Sequence, residues 1–258
     1  MIGAIIGDVI GSVHEHTATK TTDFPLFVPG SRFTDDTVLT IATADALLTD
    51  GDYARAYREW GNRYPRAGYG SAFKRWLRTP GEGPYGSFGN GSAMRVSPVA
   101  YAFDSVAEVL AEAKRSAAVT HDHPEGINGA QATALAVYLA RTGVSRAEIR
   151  TEIVSRFGYD LSRTIEEIRP SYAFDVKCQG SVPEALTAFF ETEDLEGAIR
   201  VAISLGGDAD TQAAIAGGAA QAAGSSATPT MLRELQERLT AEMLDVLEHI
   251  RGHLGLEN

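Results

Sequence analysis

Apolar positions recur at helical spacing through much of this chain. Asp36 to Leu48 carries apolar residues one turn apart with alanines between them, and Val106 to Val119, Gly129 to Leu139 and Val182 to Phe190 follow the same rule. Toward the end, Leu232, Leu235, Leu239, Val246, Leu247, Ile250 and Leu254 fall on one stripe, with Pro229 and Thr230 as its start signal. Strand-like alternation is scarce. Asn90-Gly91 is a hairpin-type dipeptide, but its flanks lack strand patterning, which predicts a functional loop. Three irregular segments separate the helical runs: Thr17 to Phe33, Tyr64 to Gly91 and Ile168 to Ser181. The second is long and rich in Gly and Pro, as functional loops often are. With no repeat and no linker, the pattern predicts one all-α domain over residues 1–258.

Composition narrows the class. The chain has 258 residues, 44% of them hydrophobic and 22% charged, which suits a folded globular protein. Its net charge of −11 opposes non-specific nucleic-acid binding, which needs a basic surface, and suits a site that concentrates cations. The lone cysteine, Cys178, excludes an intrachain disulfide and has no cationic neighbour to make it a nucleophile. The apolar start, Met1 to Ile6, is interrupted by Asp8 and follows no basic region, so it does not read as a signal peptide. No stretch approaches the roughly 20 apolar residues of a membrane helix. The expectation is a cytoplasmic protein without a membrane partner.

Two acid clusters carry the chemistry. Thr34-Asp35-Asp36-Thr37 and Gly206-Gly207-Asp208-Ala209-Asp210-Thr211 each open a helical run. Either alone reads as a helix cap, because hydroxyls and acids satisfy and offset the free N–H groups of a first turn. Together they offer four carboxylates and, in Thr34 and Thr211, two threonine hydroxyls beside them, hard oxygen donors suited to magnesium or manganese. Gly217-Gly218, inside the second run, reads as a place of close helix packing. The Thr120-His121-Asp122-His123 segment lacks the further ligands of a zinc site.

At this point the chain resembles the ADP-ribosylglycohydrolases. The resemblance rests on Gly7-Asp8-Val9-Ile10-Gly11 with Glu15, on Thr34-Asp35-Asp36-Thr37, and on Gly89-Asn90-Gly91-Ser92-Ala93-Met94-Arg95. Thr120-His121 with Gly129-Ala130, Gly180-Ser181-Val182-Pro183-Glu184-Ala185, and Gly206 to Thr211 follow in the same order. It implies a compact orthogonal helical bundle with a central cleft holding two Mg²⁺ or Mn²⁺ ions. Thr34, Asp35 and Asp36 would bind metal from one side, and Asp208, Asp210 and Thr211 from the other. Gly89, Asn90, Gly91, Ser92 and Met94 would approach the diphosphate, beside His121. Gly180 and Ser181 are further substrate-binding candidates, and Tyr172 ahead of them is a candidate for stacking on adenine, whereas Phe174 reads as core. His123 has no matched role.

The implied activity is hydrolysis of the glycosidic bond between the distal ribose and a modified target, an ADP-ribosylated protein or nucleobase, giving free ADP-ribose. Glu15 and Asp36 are the candidate catalytic acids, with His14 and His16 flanking Glu15, and Asp8 reads as a support for the nearby turn. The segment between Arg95 and Thr120 is shorter than in longer relatives, which leaves the acceptor open between arginine, serine and others. Two readings of other classes compete: a non-catalytic ADP-ribose-binding module, and a metal-dependent phosphohydrolase cutting the diphosphate.

Overall fold

The computed structural model describes residues 1–255, which form fifteen helices and no sheet. In chain order they are α1 (Ile2–Gly11), α2 (Asp35–Leu48), α3 (Tyr53–Arg63), α4 (Ser71–Arg78) and α5 (Gly91–Met94). Next come α6 (Val99–Ala102), α7 (Val106–Ala118), α8 (Pro124–Arg141), α9 (Arg146–Phe157) and α10 (Ile165–Ile168). The last five are α11 (Cys178–Phe190), α12 (Leu195–Ile203), α13 (Ala209–Ala222), α14 (Pro229–Gln236) and α15 (Ala241–His253). The only extended pairing among the described residues is a single bridge between Gly89 and Lys177.

The architecture is built around α13. Residues Ala209 to Ala220 are buried on every side, which a helix made of Ala, Gly and Ile can achieve and a one-sided amphipathic helix cannot. Helices α1, α8, α11 and α12 pack around it. Its tightest partner is α1, through glycines four residues apart on one face. A Cβ on Gly3 would lie 2.3 Å from the Gly217 carbonyl oxygen, one on Gly7 2.2 Å from that of Ala213, and one on Gly11 2.5 Å from the Asp210 Cα. Close packing at Gly217 is therefore the reason for that glycine. The same contact carries Asp8 of α1 to the start of α13. Gly7→Ala is expected to cost about 1–3 kcal/mol through backbone displacement. A urea midpoint equal to that of the unsubstituted protein would contradict this.

The four internal runs read from spacing lie within α2, α7, α8 and α11. The terminal stripe differs. It divides into α14 and α15 at Thr240, which stands at the N-cap position of α15 and turns its hydroxyl to the Tyr64 hydroxyl at 2.6 Å. Leu235 of α14, Leu239 in the turn, and Leu247 and Ile250 of α15 are buried, while Leu232 is 41% exposed, so the stripe is a shared burial direction and not one helix. The irregular Tyr64 to Gly91 segment contains α4, whose Phe73, Trp76 and Leu77 are buried. The third irregular segment ends early, because α11 starts at Cys178. No helix among the described residues is long and apolar enough to cross a membrane.

Candidate active site

The two acid clusters are the N-terminal turns of α2 and α13, and the fold brings them together. Thr34 caps α2, its hydroxyl accepting from the Asp36 N–H at 3.3 Å. Asp208 stands at the N-cap of α13, with Asp210 in the first turn. The capping and ligand readings are therefore not exclusive: the positive ends of two helices face one group of carboxylates, and each moderates its charge. Thr211 Oγ1 donates to Asp36 Oδ2 at 3.3 Å, which ties the clusters directly.

Asp8 holds the arrangement from behind. It is fully buried and accepts from Thr34 N (2.9 Å), Thr34 Oγ1 (2.6 Å), Thr37 N (3.0 Å) and Thr37 Oγ1. These donors fix the first turn of α2, the supporting role expected for Asp8. Thr34 is buried with its hydroxyl hydrogen turned to Asp8, and lies behind the cleft wall instead of in it.

Carboxylate oxygens of Asp8, Asp36 and Asp210 lie within 4.8 Å of one another, and so do those of Glu15, Asp208 and Asp210. The two triads share Asp210. Asp36 Oδ1 is buried without a hydrogen-bond partner. Burial, reinforced by the neighbouring acids, pushes Asp36 and Asp210 well up from the usual carboxylate range and Asp35 to about 7. Burial, with a smaller push from Asp175, raises Asp208 against the hydrogen bonds that lower it. Such a group binds protons unless a cation compensates it. An orphaned oxygen inside a cage of hard donors fits a divalent ion. Asp35 lies outside both triads, with Oδ1 turned toward the Gly68 loop.

A cleft of about 390 Å³ opens beside the acids, within the usual size of a small-molecule site. Glu15, Asp35, Asp36, Asp208, Asp210 and Thr211 line one end. Gly89, Asn90, Gly91, Met94, Arg95 and His121 line another, and Gly68 to Phe73 at the start of α4 form a further wall. Glu15 is half-buried and its carboxyl is raised by that burial. His16 approaches it at 3.7 Å, whereas His14 bonds Thr19 Oγ1 and packs on Phe24.

Several sequence candidates stand elsewhere. Asn90 lines the cleft, but its side chain donates to Asp208 Oδ2 at 2.7 Å and so orients an acid of the cluster. The Gly89 and Asn90 N–H groups are engaged by Ser87 Oγ (3.2 Å) and the Val176 carbonyl (2.8 Å). Ser92 is buried, its hydroxyl bonded to the Gly126 carbonyl at 2.6 Å. Gly180 and Ser181 lie behind the cleft: Gly180 packs on Asp175, and the Ser181 hydroxyl caps the Lys177 carbonyl at 2.8 Å. Tyr172 is not an open platform. Its hydroxyl donates to the Gly180 carbonyl (2.6 Å) and accepts from Gln212 (3.0 Å), and a Cβ on Gly207 would meet its ring at 2.4 Å. Tyr172 therefore buttresses the loop that carries Asp208.

Gly206, at φ +70°, makes the left-handed turn into that loop, a conformation glycine takes without steric cost. Lys20 straps it, donating to the carbonyls of Arg169, Tyr172 and Leu205 at 2.9, 2.6 and 2.5 Å. Phe174, which reads as core from sequence, is instead 49% exposed and lines the cleft. Phe88, 42% exposed, stands against the His123 ring. His123 caps α8 by accepting the Glu125 N–H. Burial pushes the Cys178 thiol up to about 12, which suits an inert core residue.

An all-helical scaffold with an acid-lined nucleotide-sized cleft at paired helix starts defines the class: the chain belongs to the ADP-ribosylglycohydrolase family, whose model matches residues 1–255. It is 28% identical to the ADP-ribosylhydrolase ARH3 of Mus musculus, over 86% of this chain and 82% of that protein. It is also 28% identical to the ADP-ribosylarginine hydrolase Tri1 of Pseudomonas putida, over 84% of this chain and 67% of that protein. A solved ADP-ribosylglycohydrolase-related protein complex superposes with a TM-score of 0.69 at 25% identity, covering 96% of this chain and 95% of the other. The family makes the chain a hydrolase that removes ADP-ribose.

Proposed function

We propose that the chain releases ADP-ribose from a modified protein side chain by hydrolysing the bond at the distal ribose, in a site for two magnesium or manganese ions. The observation that carries this is the pair of acid triads sharing Asp210, with Asp36 Oδ1 unpartnered, at one end of the cleft. Asp36, Asp208, Asp210 and Thr211 would hold the ions, with Asp35 at the edge and Thr34 behind them, bonded to Asp8. When bound, the ions supply positive charge that receives the ribose hydroxyls.

The chain's own groups do the rest. Gly91 and His121, which line the cleft, would face the diphosphate. Glu15, at the cleft edge and raised by burial, handles the proton exchanged between water and the leaving acceptor. The carboxylates stabilise positive charge developing on the sugar. Arginine and serine side chains are the acceptors to test, because both present a leaving atom that departs more easily when protonated. Peptides carrying ADP-ribose on arginine or on serine should each be assayed with the metal. Release of the unmodified peptide from at least one is expected, and ADP-ribose binding without release from either would favour a binding module.

Phe174, the exposed aromatic on the cleft wall, is the candidate to stack on the adenine. The Phe174→Ala variant is expected to raise KM by roughly tenfold with kcat nearly unchanged, since stacking on a base contributes about 1–3 kcal/mol of uniform binding. A fall in kcat at constant KM would place the adenine elsewhere.

A further inference from the structure

Thr120 is fully buried, and its Oγ1 lies 2.9 Å from Arg95 Nη2 and 2.7 Å from His121 Nδ1. A guanidinium only donates, so one lone pair of the threonine oxygen is taken by Arg95. Among the described residues the acceptor at hydrogen-bond distance from this oxygen is His121 Nδ1. The single threonine hydrogen then has Nδ1 as its acceptor. Nδ1 is bare, and in a neutral imidazole the hydrogen sits on Nε2. That nitrogen points at the glycine loop: a Cβ on Gly91 would lie 3.4 Å from it, and one on Gly89 3.8 Å.

Arg95 is itself unusual. It is fully buried, no carboxylate among the described residues reaches salt-bridge distance, its Nε has no partner, and it stacks on Tyr57 at 4.1 Å. A guanidinium stays charged at any working pH and never turns acceptor, so the relay runs in one direction. Burial, then the Arg95 charge, holds His121 well below its usual basicity and keeps the ring neutral.

We propose that Arg95 and Thr120 are positioning residues that lock His121 as the Nε2–H tautomer, so that the ring presents one fixed donor to a phosphate in the cleft. The phosphate part rests on the reading of the cleft as an ADP-ribose site, whereas the tautomer stands without it.

The test uses the full chain labelled with ¹⁵N-histidine, read by two-bond ¹H–¹⁵N correlation, with His121 assigned by its loss in His121→Asn. The expected spectrum shows a bare Nδ1 and a protonated Nε2, with or without ADP-ribose. Thr120→Val should yield Nδ1–H or a mixture and weaken ADP-ribose binding by about tenfold, the worth of a charge-assisted hydrogen bond. Thr120→Ser should restore both. Should Thr120→Val fail to fold, Arg95→Met, which frees the Thr120 oxygen, is expected to give the same mixture. An Nδ1–H tautomer in the unsubstituted protein overturns the proposal, and so does an unchanged tautomer in the valine or methionine variant. Absence of ADP-ribose binding by the unsubstituted protein, with the Nε2–H tautomer present, would instead count against the site reading alone.

Discussion

Asp36→Asn, Asp208→Asn and Asp210→Asn are each expected to lower turnover by at least about 10³-fold while the helical fold survives. Metal-site chemistry contributes several kcal/mol, each 1.4 kcal/mol is tenfold in rate, and ligands of one site act as a unit. Asparagine keeps the shape of each acid and removes its charge. Because the acids are buried and mutually repelling, the metal-free variants should be no less stable than the unsubstituted protein. Added Mg²⁺ or Mn²⁺ should raise the melting temperature of the unsubstituted chain, since an ion that binds only the folded state stabilises it, and should not raise that of the variants. Excess chelator should reproduce the loss of activity. If two of the three variants turned over normally, or if chelator left activity intact, the ions would not be held by these clusters.

Glu15→Gln is expected to lower turnover by roughly 10²–10⁴-fold, the usual worth of a general acid or base. Glutamine keeps the reach of Glu15 to the cleft edge but cannot exchange a proton. Affinity for ADP-ribose should change by less than about threefold, because the residues proposed to meet the diphosphate and adenine, His121 and Phe174, lie elsewhere on the cleft lining. The deficit should shrink on a synthetic substrate whose leaving group needs no proton. Equal activity of Glu15→Gln on an arginine- or serine-linked substrate would move the proton to another group, with Asp36 as the next candidate.

The acid clusters were legible in the sequence because their information is local: hydroxyls and acids at a helix start are adjacent along the chain, and the fold needed only to bring two such starts together. What the sequence hid is non-local. Asn90 reads as part of a glycine loop that meets the substrate, and only the folded chain shows its side chain on Asp208, 118 residues away. Tyr172 and Phe174 are two residues apart and chemically alike; the tertiary packing of Gly207 takes one into the wall and leaves the other open to the cleft. In the sequence, Gly7 and Gly11 of α1 stand out only through the family resemblance, although the four-residue spacing of Gly3, Gly7 and Gly11 was the available signal for close contact with another helix. The division of α14 from α15 was invisible for a similar reason, since Leu235 and Leu247 bury in one direction whether or not a turn lies between them.

Hydrolysis of an ADP-ribosylated peptide in ¹⁸O-labelled water, with products resolved by mass, tests the central claim most directly. The expected result is unmodified peptide and intact ADP-ribose carrying one ¹⁸O on the distal ribose, formed with Mg²⁺ or Mn²⁺ and abolished by chelator. AMP together with a peptide still bearing ribose phosphate would show attack on the diphosphate and contradict it.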